Sequence, residues 1–359
     1  MTGRVFALAP DCHVPGWRYG PGWRAHFYEG LRSAGLEVVE PTGVEFSWSR
    51  PVQVESGSIH HERKLSSDEI EKQILAAAAG GLDAVVSYCF SQDIELDLVD
   101  RVRAHGVPWI NFFCDSLYAF ETVADLAART SLNWFVESAA RPLYEALDVP
   151  FIRAPYALNP GAVPDAECLQ AQRPLAFIGA AHPQRLRTAT LLRVAGSDLH
   201  VAGFGWPDAL STPVRGRGVR GAAKNVARAI ARRAFRGRCQ GHLEPTDFIE
   251  YLRSTQVLLG LNAAGLSGAS SVNYLKLRDL EFPGMGCCYL VEDHEDLVEL
   301  FEDEREIVRF SSLAEARRLA RALARDPARC RAIGKRARER VLAEHSWAAR
   351  WPQVRAALP

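Results

Sequence analysis

The chain has 359 residues, 48% hydrophobic and 24% charged, a length that favours two domains of roughly 150–200 residues. Lys plus Arg and Asp plus Glu both total 43, so global charge marks it neither as a nucleic-acid binder nor as a membrane-surface protein. Eight scattered cysteines without a C-x-x-C pair, and no clustered histidines, argue against a zinc site and a disulfide framework. MTGRVFALAP runs directly into a strand and no apolar run reaches a membrane-spanning length, so a cytoplasmic location is expected.

In chain order, RVFALAP (4–10), LEVVEP (36–41), LDAVVSYCF (82–90), VPWINFFCDS (107–116), LNWFVES (132–138) and VPFIRAP (149–155) read as strands. Helical patterns lie between them at about 22–34, 67–80, 93–105, 118–128 and 138–147. Strands that are apolar throughout suit a parallel sheet covered on both faces, joined by right-handed crossovers. The Pro- and Ala-rich stretch 156–174 lacks periodicity and reads as a linker.

The alternation then restarts: PLAFIGA (174–180), a helix at about 184–195, DLHVAGFG (198–205), a long insertion and TQVLLGLN (255–262). A charged helix within SSVNYLKLRDLEFPGMGCCYLV (270–291) follows, then CCYLVED (287–293), a helix near 294–301, EIVRFSS (306–312) and helices at about 312–325 and 327–344. The pattern predicts an α/β protein with two Rossmann-like domains facing a central cleft, where ligands sit beyond the carboxyl ends of the strands. The expected division is 1–160, 161–340 and a C-terminal helix, 341–359, with Trp347 and Trp351 as packing residues.

The insertion is locally basic. Arg215, Arg217, Arg220, Lys224, Arg228, Arg232, Arg233, Arg236 and Arg238 fall in 214–238, with no acid between Asp208 and Glu244. Such a run could meet RNA, an anionic lipid headgroup or an acidic acceptor, or be a solvated helix balanced by the acidic 292–306. Nothing aromatic is interleaved except Phe235, so nucleic acid is not expected as a partner.

Neither half carries a dinucleotide fingerprint or a P-loop. Two strand-to-helix junctions suit a diphosphate instead. FIGAAHPQRLRTATLL leaves its strand at Gly179, turns through small residues and opens a helix with Arg185 and Arg187. GLNAAGLSGASSVNYLKLRDLE leads through Gly265, Ser267, Gly268, Ser270 and Ser271 into a helix whose free N–H groups suit an anion. Glu281 would stand about two turns further on, placed to accept from two vicinal hydroxyls, before Pro283 and Gly284 end that helix.

With these residues, 174–350 resembles the C-terminal domain of GT-B glycosyltransferases, of the group 1, spore-maturation-protein-like type. The pieces that carry the resemblance are FIGAAHPQRLRTATLLRVAGSDLHVAGFGW, GHLEPTDFIEYLRSTQVLLGLN, LKLRDLEFPGMGCCYLVED and the run from Glu306 to Arg350. The first half resembles the family in architecture and in NFFCDS. The resemblance implies a nucleotide-sugar donor, a UDP- or GDP-sugar, on the C-terminal domain and a small-molecule, glycan or protein acceptor on the N-terminal one.

In the family two glutamates eight positions apart touch donor sugar and ribose. The second matches Glu281; the first falls on Asn273, an amide that can bond a hydroxyl but brings no charge to a developing oxocarbenium ion. By the same matching, the backbone of Ser270, Ser271 and Val272 would meet the diphosphate, with Arg185 or Lys276 neutralising it and no metal or other cofactor needed.

His13 and Asp115, at carboxyl ends of predicted strands, are the candidate general bases; a structural loop histidine and a helix N-cap are their alternatives. The expected activity is metal-independent sugar transfer, with retention favoured over inversion. A nucleotide-sugar epimerase, a phosphorylase and a non-catalytic nucleotide-sugar-binding protein are the alternatives.

Overall fold

The computed structural model describes residues 3–9, 24–44, 57–211, 218–262 and 274–359. The chain divides into two compact units, Met1–Val163 with Leu342–Pro359, and Pro164–Val341. Among the described residues no helix is long and apolar enough to cross a membrane.

The first unit is built on β1 (Arg4–Leu8), β2 (Glu37–Val39), β3 (Ala84–Ser87), β4 (Trp109–Phe113), β5 (Leu132–Phe135) and β6 (Phe151–Arg153). They form one parallel sheet in the order β2-β1-β3-β4-β5-β6. All residues of β3, β4 and β5 are buried, which is why these strands show no alternation: both faces are covered. One polar group inside this core is fully used. Asn111 Oδ1 accepts from Ser87 Oγ at 2.6 Å and from the Cys89 amide at 3.1 Å, while its Nδ2 donates to the Cys89 carbonyl.

Two helical expectations in this unit, and the linker, shift. The helix expected from 67 starts at Gly57 and runs to Ala79. Ser67 looks like an N-cap, but its buried hydroxyl accepts from the Glu95 amide at 2.9 Å, away from its own helix. The helix expected over 118–128 is broken into Ser116–Ala119, a 3-10 turn Phe120–Thr122 and Ala124–Ala127. Nor is 156–174 a loose connection. Tyr156, Ala157 and Leu158 are buried together, and Val163 and Ala166 further on, along an irregular backbone; Leu158 bridges to Ser346, and the Ala166 amide donates to the Met285 carbonyl.

Helix Trp347–Ala356 packs within the first unit. Trp347 meets Phe27 and Trp134 edge-on, with ring centroids at 5.7 and 5.4 Å, and its indole N–H donates to the His26 carbonyl. Trp351, one turn later, is also buried.

The second unit holds β7 (Leu175–Ile178), β8 (Leu199–Ala202), β9 (Cys239–Gln240), β10 (Leu258–Gly260), β11 (Tyr289–Glu292) and β12 (Val308–Phe310). Its parallel sheet has the order β12-β11-β10-β7-β8-β9. The chain winds outward through β8 and β9, then returns to the other side of β7 for β10. This reversal makes the carboxyl ends of β7 and β10 the switch point of the sheet.

The sequence insertion is part of the fold. It supplies helices Trp206–Ser211 and Gly218–Ala234 and the edge strand β9, and it is anchored by Trp206, Ala231 and Phe235 in the core. Helix Pro245–Arg253, not expected from the sequence, precedes β10; Tyr251 and Leu252 are its buried side.

Candidate functional site

At the switch point, two strand ends and a guanidinium approach closely because two residues lack a Cβ. The Gly179 amide donates to Ala202 O at 3.0 Å, and Gly179 O accepts the Trp206 indole N–H at 2.8 Å. Gly203 has φ +124°, and a Cβ there would stand 2.5 Å from Gly179 O. A Cβ on Gly179 would stand 2.5 Å from Arg278 Nη1. Thus the glycines bring the ends of β7 and β8 together and admit the Arg278 guanidinium, which donates to Ile178 O at 3.2 Å.

Positive charge collects here. Arg185, 5% exposed, donates through Nε to Leu261 O at 3.1 Å and through Nη1 to Ala180 O at 3.2 Å, so it ties the end of β7 to the end of β10. The Arg185 and Arg278 guanidiniums both lie over the Phe177 ring, at 5.7 and 5.6 Å. Lys276 Nζ sits 2.9 Å from the centroid of Tyr274. The His182 imidazole is held below its ordinary value by desolvation and then by the charges of Arg185, Lys276 and Arg278. Three cations therefore act on one ring at the start of helix Pro183–Val194.

Beneath them is a buried carboxylate. Asp279 is fully buried, and its Oδ2 accepts from Asn262 Nδ2 and from the Lys276 amide, both at 2.7 Å. Its Oδ1 accepts from the Tyr289 hydroxyl at 2.6 Å, and His294 Nε2 stands 3.9 Å from Oδ2, beyond hydrogen-bond range but close enough for an ionic contact when the ring is protonated. Burial opposes ionisation of Asp279, yet His294, the Tyr289 hydroxyl and the Lys276 amide hold its carboxyl below the usual carboxylate range. One oxygen thus fixes residues on both sides of 263–273, Asn262 before it and Lys276 after it. Among the described residues, Asn262 Oδ1 has no hydrogen-bond partner.

The charged helix is Arg278–Gly284, shorter and later than expected. Tyr274–Lys276 precede it in non-helical conformation, and Glu281 lies in its middle instead of at its far end. Pro283 and Gly284 lie inside it: proline removes a single N–H, and the bond from the Met285 amide to Glu281 O closes the last turn. Arg278 and Glu281, three apart, share its partly exposed side, whereas Asp279, Phe282 and Pro283 are buried.

Of the residues expected from sequence, Gly179, Arg185, Lys276 and Glu281 are thereby assigned to the carboxyl edge of this sheet and its following helix. Asn273, Ser270, Ser271, Val272 and His13 lie outside the described residues. Asp115 follows β4 at the start of helix Ser116–Ala119 but makes no side-chain cap bond; the Ser116 amide donates instead to Glu137 Oε1 at 2.9 Å. Glu137, fully buried beyond β5, is a second carboxylate at that edge. The phenol of Tyr144 is pushed up by burial, with the Glu137 charge adding to the effect.

Asp279, Arg278, His182 and Glu137 were missed from sequence. A usable signal existed only for Asp279, an acid at helical spacing from Phe282 and Pro283 and hence on an apolar face.

The glycosyl transferase-like family model matches residues 184–356. Among curated proteins, none matches the chain. Sucrose-phosphate synthase from Thermosynechococcus elongatus is similar in structure, with 13% identity and a TM-score of 0.62, over 100% of this chain and 99% of that one. AviGT4, a glycosyltransferase involved in avilamycin A biosynthesis, shares 16% identity at a TM-score of 0.57, over 99% and 97% of the two chains. HepE from Anabaena, in complex with UDP, shares 11% at 0.55, over 100% and 99%. At these identities the likeness is one of fold, the GT-B fold.

Proposed function

We propose that this chain, a glycosyltransferase of the GT-B fold whose residues 184–356 belong to the glycosyl transferase-like family, takes its sugar from a nucleotide-sugar held at the carboxyl ends of β7 and β10. The observation that carries the reading is the placement of the Arg185 and Arg278 guanidiniums over Phe177 at the end of β7, with Lys276 on the segment that follows β10. A cluster of positive side chains at a switch point suits an anionic ligand, and a diphosphate is such an anion. UDP in the HepE structure supports the same class of ligand.

In this reading Arg278 and Lys276 face the diphosphate and stabilise the negative charge that grows on it as the glycosidic bond breaks. Arg185, already bonded to two carbonyls, acts through its field and by fixing the two strand ends. Glu281 takes the ribose hydroxyls. Ser270, Ser271 and Val272 offer amides to the phosphates, and Asn273 bonds a sugar hydroxyl. Because side chains neutralise the leaving group, the reading needs no metal ion, and it favours retention. The acceptor falls to the first unit, with His13 and Asp115 as its candidate bases and Glu137 beside Asp115 as a further carboxylate; the site of action is the cytoplasm.

The test is mass spectrometry of UDP- and GDP-sugars incubated with the protein. Slow release of nucleoside diphosphate and free sugar is expected without acceptor, as water takes the acceptor's place. A donor recovered unchanged, or converted to an epimer without release of the nucleotide, would exclude the transferase reading.

A further inference from the structure

Helix Gly218–Ala234 enters the core at its C-terminal end, and from Ala222 to Ile230 it is exposed apart from half-buried Arg228. Ala231 and Phe235 are 2% and 1% exposed, whereas Val226 is 61% and Ile230 48% exposed, four residues apart on the outward side. Arg232, Arg233 and Arg236 are exposed beside them and, with Ala229, line an open recess of about 430 Å³. Among the described residues, none of these three arginines has a carboxylate within ion-pair distance; nearby Arg238 is already paired with Asp198 at 2.8 Å. The sequence holds no acid between Asp208 and Glu244 to compensate them.

Single exposed aliphatic residues are ordinary. Two on one turn, flanked by uncompensated guanidiniums, are the composition of a helix lying in a bilayer interface: the aliphatic groups enter the headgroup–acyl boundary and the guanidiniums meet lipid phosphates. A polynucleotide fits less well. Phe235 is the one aromatic residue in 214–238, and it is buried in the core, so this face has no ring on which a base could stack.

We propose that helix Gly218–Ala234 docks the second unit on an anionic lipid surface, with Val226 and Ile230 inserted and Arg232, Arg233 and Arg236 on the lipid phosphates. The inference concerns a face remote in sequence from the donor residues and is tested without any sugar donor, so it stands or falls separately from the transferase reading.

The experiment is sedimentation of the full chain with phosphatidylcholine vesicles and with mixed phosphatidylcholine–phosphatidylglycerol vesicles. Binding to the anionic vesicles alone, weakened by salt, is expected. Each basic side chain near the surface contributes about fivefold, so Arg232→Gln with Arg233→Gln reduces partitioning about 30-fold. Arg232→Lys with Arg233→Lys retains most of it. Val226→Ser with Ile230→Ser reduces it by roughly tenfold or more at unchanged charge. All these positions are exposed, so the variants fold. Equal binding to neutral vesicles, indifference to the glutamine pair, or retention by RNA without binding to vesicles would overturn the proposal.

Discussion

Replacing Asp279 by alanine separates a structural hub from an incidental buried charge. The change removes the acceptor of three donors, Asn262 Nδ2, the Lys276 amide and the Tyr289 hydroxyl, at 2.6–2.7 Å. Asn262 and Tyr289 are fully buried and have no water to turn to. An unsatisfied buried donor costs about 1–3 kcal/mol and loss of one member of a buried charge network about 3–5 kcal/mol, so about 3–5 kcal/mol is expected for the group. Hydrogen exchange by mass spectrometry reads this in the second unit alone, through the amides of Leu258–Gly260 and Tyr289–Glu292. Exchange there should quicken by roughly two to four orders of magnitude, while the strands of the first unit change far less. Asp279→Asn, which keeps shape and one oxygen, should fall between. Quickening of less than about tenfold in the alanine variant would refute the hub argument.

The pH dependence follows from the same carboxylate. Its folded value is depressed, so the stability it contributes is complete above its unfolded value near ~4 and disappears as pH falls through the folded one; the urea midpoint should drop more between about pH 5 and pH 3 in the native chain than in Asp279→Asn. Gly203→Ala should lower the melting temperature of the second unit by about 4–8 °C, from about 2 kcal/mol of backbone strain and the encounter with Gly179 O. Gly241→Ala, whose nearest neighbour would be Pro207 at 3.7 Å, is the control with little change. Trp347→Ala empties a buried site against Phe27 and Trp134 and should cost the first unit about 3–5 kcal/mol, read as faster exchange in β1 and β5.

Apart from β9, the strands were legible as short apolar runs between turn residues, and burial of β3, β4 and β5 on both faces leaves no alternation to misread. What the sequence concealed has local causes. Ser67 has the chemistry of an N-cap but serves Glu95; Pro283 reads as a helix end but sits where one missing N–H is tolerated; β9 is a two-residue edge strand with no pattern to detect. Junction chemistry and family resemblance single out Gly179, Arg185, Lys276 and Glu281, which lie at the carboxyl edge of the second sheet and on the helix that follows β10. Asp279 and Glu137 could not be sorted from surface acids by type alone. Their meaning comes from partners distant in sequence: Tyr289 across the sheet and Ser116 beyond a neighbouring strand.

The most direct test of the donor site is calorimetric titration of UDP and GDP into the protein, into Arg278→Ala and into Glu281→Ala. One nucleotide should bind at a single site per chain. A charge-assisted hydrogen bond contributes about 1.5–3 kcal/mol, so each variant should weaken it by roughly 10- to 150-fold. No binding of either nucleotide, or binding that both variants leave unchanged, would contradict a donor site at the carboxyl ends of β7 and β10.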